Sequence, residues 1–173
     1  MADRRSRMLE REYGRQVEAL FQAASLKLSA RTAHLLEQAE AEARALDDDH
    51  VGTEHFVLAL YAFGDTAARR ALESLGISRQ VFADRLDYEE GPSPTGRIPL
   101  TPRARMIIGL AGAEASRRAS GEVQPEHILL GVIQESEKWG ATGKGGPHHL
   151  GAAAHAVGAT LSDVEHSLIR EIR

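Results

Sequence analysis

Sliding this chain along itself by 72 residues lays LSARTAHLLEQAEAEARALDDDHVGTEHFVLAL over LTPRARMIIGLAGAEASRRASGEVQPEHILLGV without a gap. Leu28, Arg31, Ala39, Ala41, Glu42, Ala43, Val51, Glu54, His55 and Leu58 fall on Leu100, Arg103, Ala111, Ala113, Glu114, Ala115, Val123, Glu126, His127 and Leu130. Alanines match cheaply, so the polar coincidences carry the weight: Arg31 with Arg103, and Glu54-His55 with Glu126-His127. An internal repeat sets the structural unit before any motif is weighed, because a unit too small to bury its own apolar face must share a core with its copy.

Within each copy the apolar period is helical. Leu35, Leu36, Ala39, Ala43 and Leu46 form one stripe in the first, and Ile107, Ile108, Ala111 and Ala115 form one in the second. A short segment that is apolar nearly all round follows, Phe56 to Tyr61 and Ile128 to Ile133, which predicts a helix buried on most sides. A third helix is expected over 67–75, stopped by Gly76, and a fourth from Ser78 as N-cap to about Leu86. The second copy closes in the same manner, with Leu161, Val164, Leu168 and Ile172 on one face after Gly158. Tyr13, Val17, Leu20, Phe21 and Ala24 are spaced as an extra amphipathic helix ahead of the first copy. YEEGPSPTGRIP, dense in Gly and Pro, reads as the linker. No run of alternating β-branched residues stands out. The expected fold is all-α: two tandem pseudo-symmetric four-helix units, 28–87 and 100–173, joined by 88–99, after an N-terminal segment 1–27.

Several function classes fall away on composition. Zero cysteines exclude disulfides, thiolate metal sites and thiol nucleophiles. A net charge of -4 gives no general electrostatic reason to bind nucleic acid or an anionic membrane. No stretch of about 18 apolar residues is present and the start lacks the apolar run of a secretory signal, so a cytoplasmic location is expected. Arg4, Arg5, Arg7, Arg11 and Arg15 crowd the first helix candidate, fit either for an acidic partner or for a solvated surface.

The pattern of Thr or Ser opening a helix with Arg two positions on, then Glu-Ala, then Gly-Thr-Glu-His before an ILLGL-type helix, resembles the Clp N-terminal (Clp repeat) domain. RIPLTPRAR, VGTEHFVLAL, EHILLGVI and ALESLGIS are most similar to the ClpC-type unfoldases, over about residues 28 to 172. The ATPase modules of such unfoldases require G-x-x-x-x-G-K-[ST]. The one Gly-Lys here, in GATGKGGP, is followed by Gly145, so ATP hydrolysis is not expected and the chain reads as a stand-alone N-terminal region. WGATGKGGPHHLG lengthens the loop of the second copy, 138–149, by about ten residues over the family pattern. Leu100 stands where the family usually has Phe before Thr-Pro-Arg, an aromatic on which cyclic-peptide antibiotics are received.

The resemblance implies a non-enzymatic module that receives adaptors and substrates of Clp proteases, including proteins phosphorylated on arginine. A phosphoarginine group needs an anionic acceptor for its guanidino part and N–H or hydroxyl donors for its phosphate. Thr101 before Pro102 reads as N-cap and first helical residue, with Ser29 its counterpart. By resemblance the acceptors are Glu54 and Glu126, giving two expected pockets, Ser29 with Glu54 and Thr101 with Glu126. Arg31 and Arg103 either assist an anion or pair with nearby carboxylates. The same residues also serve as ordinary capping devices, worth about 0.5 to 2 kcal/mol for a hydroxyl at an N-cap.

His55 and His127 have no nucleophile or base placed beside them by the spacing and read as structural. His148, His149, His155 and His166 gather late in the chain, but His149 and His155 lack the i, i+4 spacing of a helical zinc site, so no metal is expected. Trp139, in the lengthened loop, would either anchor a partner or fold back on the helices. No cofactor and no catalytic residue is expected. Expected partners are Clp unfoldase or protease components, their adaptors and clients, phosphoarginine proteins and cyclic-peptide antibiotics, acting to modulate proteolysis or to sequester small molecules aimed at the unfoldase. The alternative is a structural or regulatory interaction protein that self-associates through its N-terminal helix.

Overall fold

A computed structural model describes residues 26–87, 94–140 and 148–172. The helix expected around Tyr13 to Ala24 and its arginines lie outside the described residues. The first repeat runs β1 (Lys27–Leu28), α1 (Ala30–Ala45), α2 (Thr53–Ala62), α3 (Ala67–Ser74) and α4 (Arg79–Ala83). The second runs α5 (Pro102–Arg117), β2 (Glu122–Val123), α6 (Pro125–Gly140), α7 (His149–Ala156) and α8 (Leu161–Ile172). Helices one and two of each repeat begin 72 residues apart (Ala30 and Pro102, Thr53 and Pro125), and helices three and four begin 82 apart (Ala67 and His149, Arg79 and Leu161). The ten-residue difference falls between the starts of α6 and α7, six residues lengthening α6 itself and four the segment that follows it.

Helix starts follow the side-chain chemistry. Ser29, Thr66, Ser78 and Thr101 each accept a hydrogen bond from the backbone N–H three residues on. Thr160 and Asp163 cap α8 reciprocally, Asp163 N–H to Thr160 Oγ1 at 3.2 Å and Thr160 N–H to Asp163 Oδ2 at 2.8 Å. Gly76 and Gly158, at φ 79° and 77°, reverse the chain after α3 and α7. The central helices are buried as their composition predicts, with Phe56, Leu58 and Leu60 in α2 and Ile128, Leu129 and Leu130 in α6 all within the core. Each such side chain contributes about 1.5 to 3 kcal/mol through removal from water.

Two boundaries differ from expectation. α4 ends at Ala83, short of Leu86. α6 continues through Trp139 to Gly140, so the lengthened loop starts later than residue 138 and Trp139 is a half-buried helical residue. The cause is a local substitution: Gly64, at φ 102°, follows α2, whereas the matching position 72 residues on is Ser136, which continues the helix.

The repeats do not pack as two separate bundles. β1 pairs in parallel with β2, Lys27 with Glu122 and Leu28 with Val123, and the repeat-related bridge joins Leu100 to Val51. The third helix of the first repeat lies on the last helix of the second, with Ser74 Oγ 2.9 Å from Ser167 Oγ and Arg70 Nε donating to Glu171 at 2.7 Å. One apolar core extends across both copies. Its tightest approach is α5 on α6, where a Cβ on Gly131 would lie 2.7 Å from the carbonyl oxygen of Ile107.

Candidate functional site

The crossed bridges decide which helix start faces which glutamate. Ser29 N–H donates to Val123 O at 3.1 Å, three residues before Glu126. Thr101 N–H donates to Val51 O at 3.0 Å, three residues before Glu54. Each cap therefore abuts the turn of the other repeat, Ser29 the turn that leads to Glu126 and Thr101 the turn that leads to Glu54. The reason is topological: the parallel bridge that orients each first helix is made with the opposite copy. Glu54 and Arg103, one from each repeat, line a common crevice with Thr53, Ser136 and His148, of about 10 Å³, near the lower limit for a single water.

The two starts differ in detail. Ser29 is 4% exposed and its Oγ accepts from Thr32 N–H at 3.1 Å while lying 3.0 Å from Thr32 Oγ1. Thr101 is half-exposed, and its Oγ1 accepts from Ala104 N–H at 3.1 Å. Glu54 curls back over Gly52, its Oε1 2.1 Å from where a Cβ would stand, and Thr53 Oγ1 donates to its Oε2 at 3.3 Å. Gln124 and Pro125 occupy the matching places before Glu126 and can offer neither the open space nor the hydroxyl.

The two arginines, alike in sequence, have unlike partners. Arg103 donates from Nε to Glu135, which is 1% exposed, and its Nη2 lies 3.4 Å from His148 Nδ1. Arg31 is exposed, donates to Asp65 O at 3.2 Å and sits 5.9 Å above the Phe63 ring, which meets His34 edge to face. Phe63 and Glu135 are repeat-related positions, so one copy has exchanged a buried ion pair for a cation over an aromatic. Thr32, Phe63 and Glu135 are not singled out by the sequence reading, which weighs His148 only among the late histidines. The signal that could have found them is their mismatch between the aligned copies.

His55 and His127 perform the same structural task. His55 Nδ1 accepts from Gly52 N–H and His127 Nδ1 from Gln124 N–H, both at 2.9 Å, satisfying a donor ahead of each buried helix. Burial holds His127 below the usual imidazole range. Asp48, Glu54 and His55 bring ligand-type atoms within 4.8 Å of one another. The donor set does not suit a cation: with Nδ1 accepting from Gly52, the ring proton belongs on Nε2, which faces Asp48 Oδ2 at 3.0 Å and blocks the remaining lone pair. The late histidines are dispersed. His148 meets Arg103, His149 Nδ1 lies 2.9 Å from Arg85 O, and His155 and His166 face solvent.

Between the residues preceding the two caps lies a groove with a cavity volume of about 490 Å³. Leu28, Leu36, Val51, Ile98 and Leu100 line it, with Glu37 at its edge. The wall formed by 94–100 is pinned to α1: Glu40 accepts from Ile98 N–H at 3.2 Å, and Arg44 donates to Gly96 O at 2.8 Å and to Pro94 O at 3.2 Å. No helix among the described residues is long and apolar enough to cross a membrane.

A single all-α core built from two crossed repeats, with capped helix starts flanking an apolar groove, is the fold class of the Clp N-terminal domains. Residues 2–75 match the family described as the Clp repeat (R) N-terminal domain. Chaperone protein ClpB of Oceanobacillus iheyensis is 34% identical over 113 residues, 64% of this chain and 14% of that protein. The negative regulator of genetic competence ClpC/MecB of Bacillus subtilis is equally similar, 34% over 113 residues with the same coverage. The chain thus spans a small part of the curated relatives it matches. The solved N-terminal domain of the caseinolytic protease associated chaperone ClpD from Arabidopsis thaliana superposes with a TM-score of 0.60 at 18% identity, covering 85% of this chain and 98% of that one. The match of the family begins at residue 2, within the segment read as preceding the first repeat.

Proposed function

We propose that the chain is a protein-binding module of Clp-dependent proteolysis, which takes up unstructured segments of substrates or adaptors and performs no chemistry on them. The carrying observation is the apolar groove lying between two helix starts, each set against the acidic turn of the opposite repeat. An extended peptide laid along the groove would bury apolar side chains against Leu28, Leu36 and Leu100, and a charged mark on it would reach a cap. Phosphoarginine fits that combination, since a carboxylate beside a helix start offers an acceptor to the guanidino group and donors to the phosphate.

Leu100 supports a second ligand class on the same groove. Its aliphatic side chain keeps the surface apolar where the family has an aromatic, so a cyclic-peptide antibiotic retains hydrophobic contact while losing ring stacking, worth about 0.5 to 1.5 kcal/mol. In either use the chain would modulate a Clp machine by delivering, competing for or sequestering its ligands. Fluorescence anisotropy with a labelled apolar peptide carrying one phosphoarginine tests the reading. Saturable binding that weakens at least tenfold for the unphosphorylated peptide is expected. Equal, non-saturating signals for both peptides, together with no Clp component recovered by pull-down from the source cell, would overturn it.

A further inference from the structure

We infer that only one of the two repeat-related starts receives ligand, the one formed by Thr101 and the Gly52-Thr53-Glu54 turn, and that Thr32 seals the other. The inference rests on the binding function proposed above and assigns its stoichiometry. It starts from a hydrogen-bond count. Thr32 Oγ1 lies 2.6 Å from Val123 O, a carbonyl that can only accept, so the single hydroxyl proton of Thr32 is committed there. Ser29 Oγ, 3.0 Å from Thr32 Oγ1, must then supply the proton of that contact, and it already accepts from Thr32 N–H. Both hydroxyls are spent on each other and on the opposite repeat, at 4% and 0% exposure. Ser29 has no proton left for a phosphate oxygen.

The second start is built without that relay. Ala104 occupies the place of Thr32, and the hydroxyl proton of half-exposed Thr101 meets no acceptor among the described residues. The opposing turns differ in the same direction. Gly52 leaves room for the Glu54 carboxylate to fold back, and Thr53 fixes one of its oxygens, whereas Gln124 carries a Cβ and Pro125 has no hydroxyl. At the first start Arg31 is the exposed cation, but it rests on Phe63 and Asp65 O. An uncommitted cap hydroxyl is therefore found, of the two repeat-related starts, at Thr101 alone.

The test is isothermal titration of the full chain with a short phosphoarginine peptide, for the native protein and for Thr32→Ala, which restores what the second repeat carries. One ligand per native chain and two per Thr32→Ala chain are expected, with Glu54→Gln lowering native affinity at least tenfold. Thr32→Val, which keeps the branched volume and removes the hydroxyl, repeats the measurement should the alanine variant fail to fold. Two ligands on the native chain, or a single ligand on both Thr32 variants, would overturn the inference while leaving the binding function standing. No heat from any variant at millimolar peptide would instead remove the binding function itself.

Discussion

Arg103 in the first turn of α5 is tied to Glu135 in α6, a carboxylate that the surrounding helices bury almost completely. The other oxygen of Glu135 has no hydrogen-bond partner among the described residues, so Arg103 is what makes its burial tolerable. Removing one partner of a buried pair leaves the other charge uncompensated, at a cost of about 3 to 5 kcal/mol. Arg103→Met alone is expected to lower stability by roughly that amount in urea denaturation. Pairing it with Glu135→Leu should recover most of the loss. Equal destabilisation by the single and double variants would show that the pair is not what holds these helices.

Gly131→Ala sets two effects against each other. Alanine in a helix interior normally gains about 1 kcal/mol over glycine. Here the added methyl would stand 2.7 Å from Ile107 O and 3.3 Å from Ala111 N, atoms of a backbone that cannot move aside. Overpacking costs of about 1 to 3 kcal/mol win, and a lower midpoint with an unchanged denaturant slope is expected.

Gly52→Ala separates binding from folding. Its backbone is extended at φ -95°, which alanine adopts without strain, and the atoms in the way belong to the flexible end of Glu54. Stability should change by less than about 1 kcal/mol. Affinity for a phosphoarginine peptide should fall at least tenfold as the carboxylate is pushed from its position. Unchanged affinity would mean that Glu54 does not contact ligand.

Acid sensitivity follows from two histidines. Burial, then the neighbouring Arg103, holds His148 below the usual imidazole range against the opposing pull of Glu135. Burial does the same to His127, opposed by Glu126 and Glu114. The folded state thus refuses protons that the unfolded chain accepts near its reference value of about 6.5. The associated stability is fully present above that pH and lost as pH falls through it toward the folded values. Melting temperature should drop between pH 7 and 5.5, and His148→Gln should reduce the drop. A profile flat across that window would contradict the assignment.

The order of helices was readable because the copies align without a gap until α6, and because caps such as Ser78 and Thr101 announce helix starts in their own residues. The crossing was not readable. It depends on bridges two residues long or shorter, which carry no periodic signature, and either partner of a repeat-related pair satisfies the same sequence pattern. Ser29, Glu54, Thr101 and Glu126 can be named from the sequence only as candidates, and which turn each helix start abuts depends on Leu28 lying beside Val123 rather than beside Val51. Thr32 escaped notice because a threonine near a helix start looks ordinary until its proton is traced to Val123 O.

The parallel bridges between opposite repeats have a practical corollary. A scission within the segment joining α4 to α5 would yield two fragments, each holding one capped helix start, the acidic turn that abuts the other fragment's start, and an exposed apolar face. Such fragments, fused to the parts of a split reporter, would complement one another through the shared interior, and cargo bridging both would strengthen the signal.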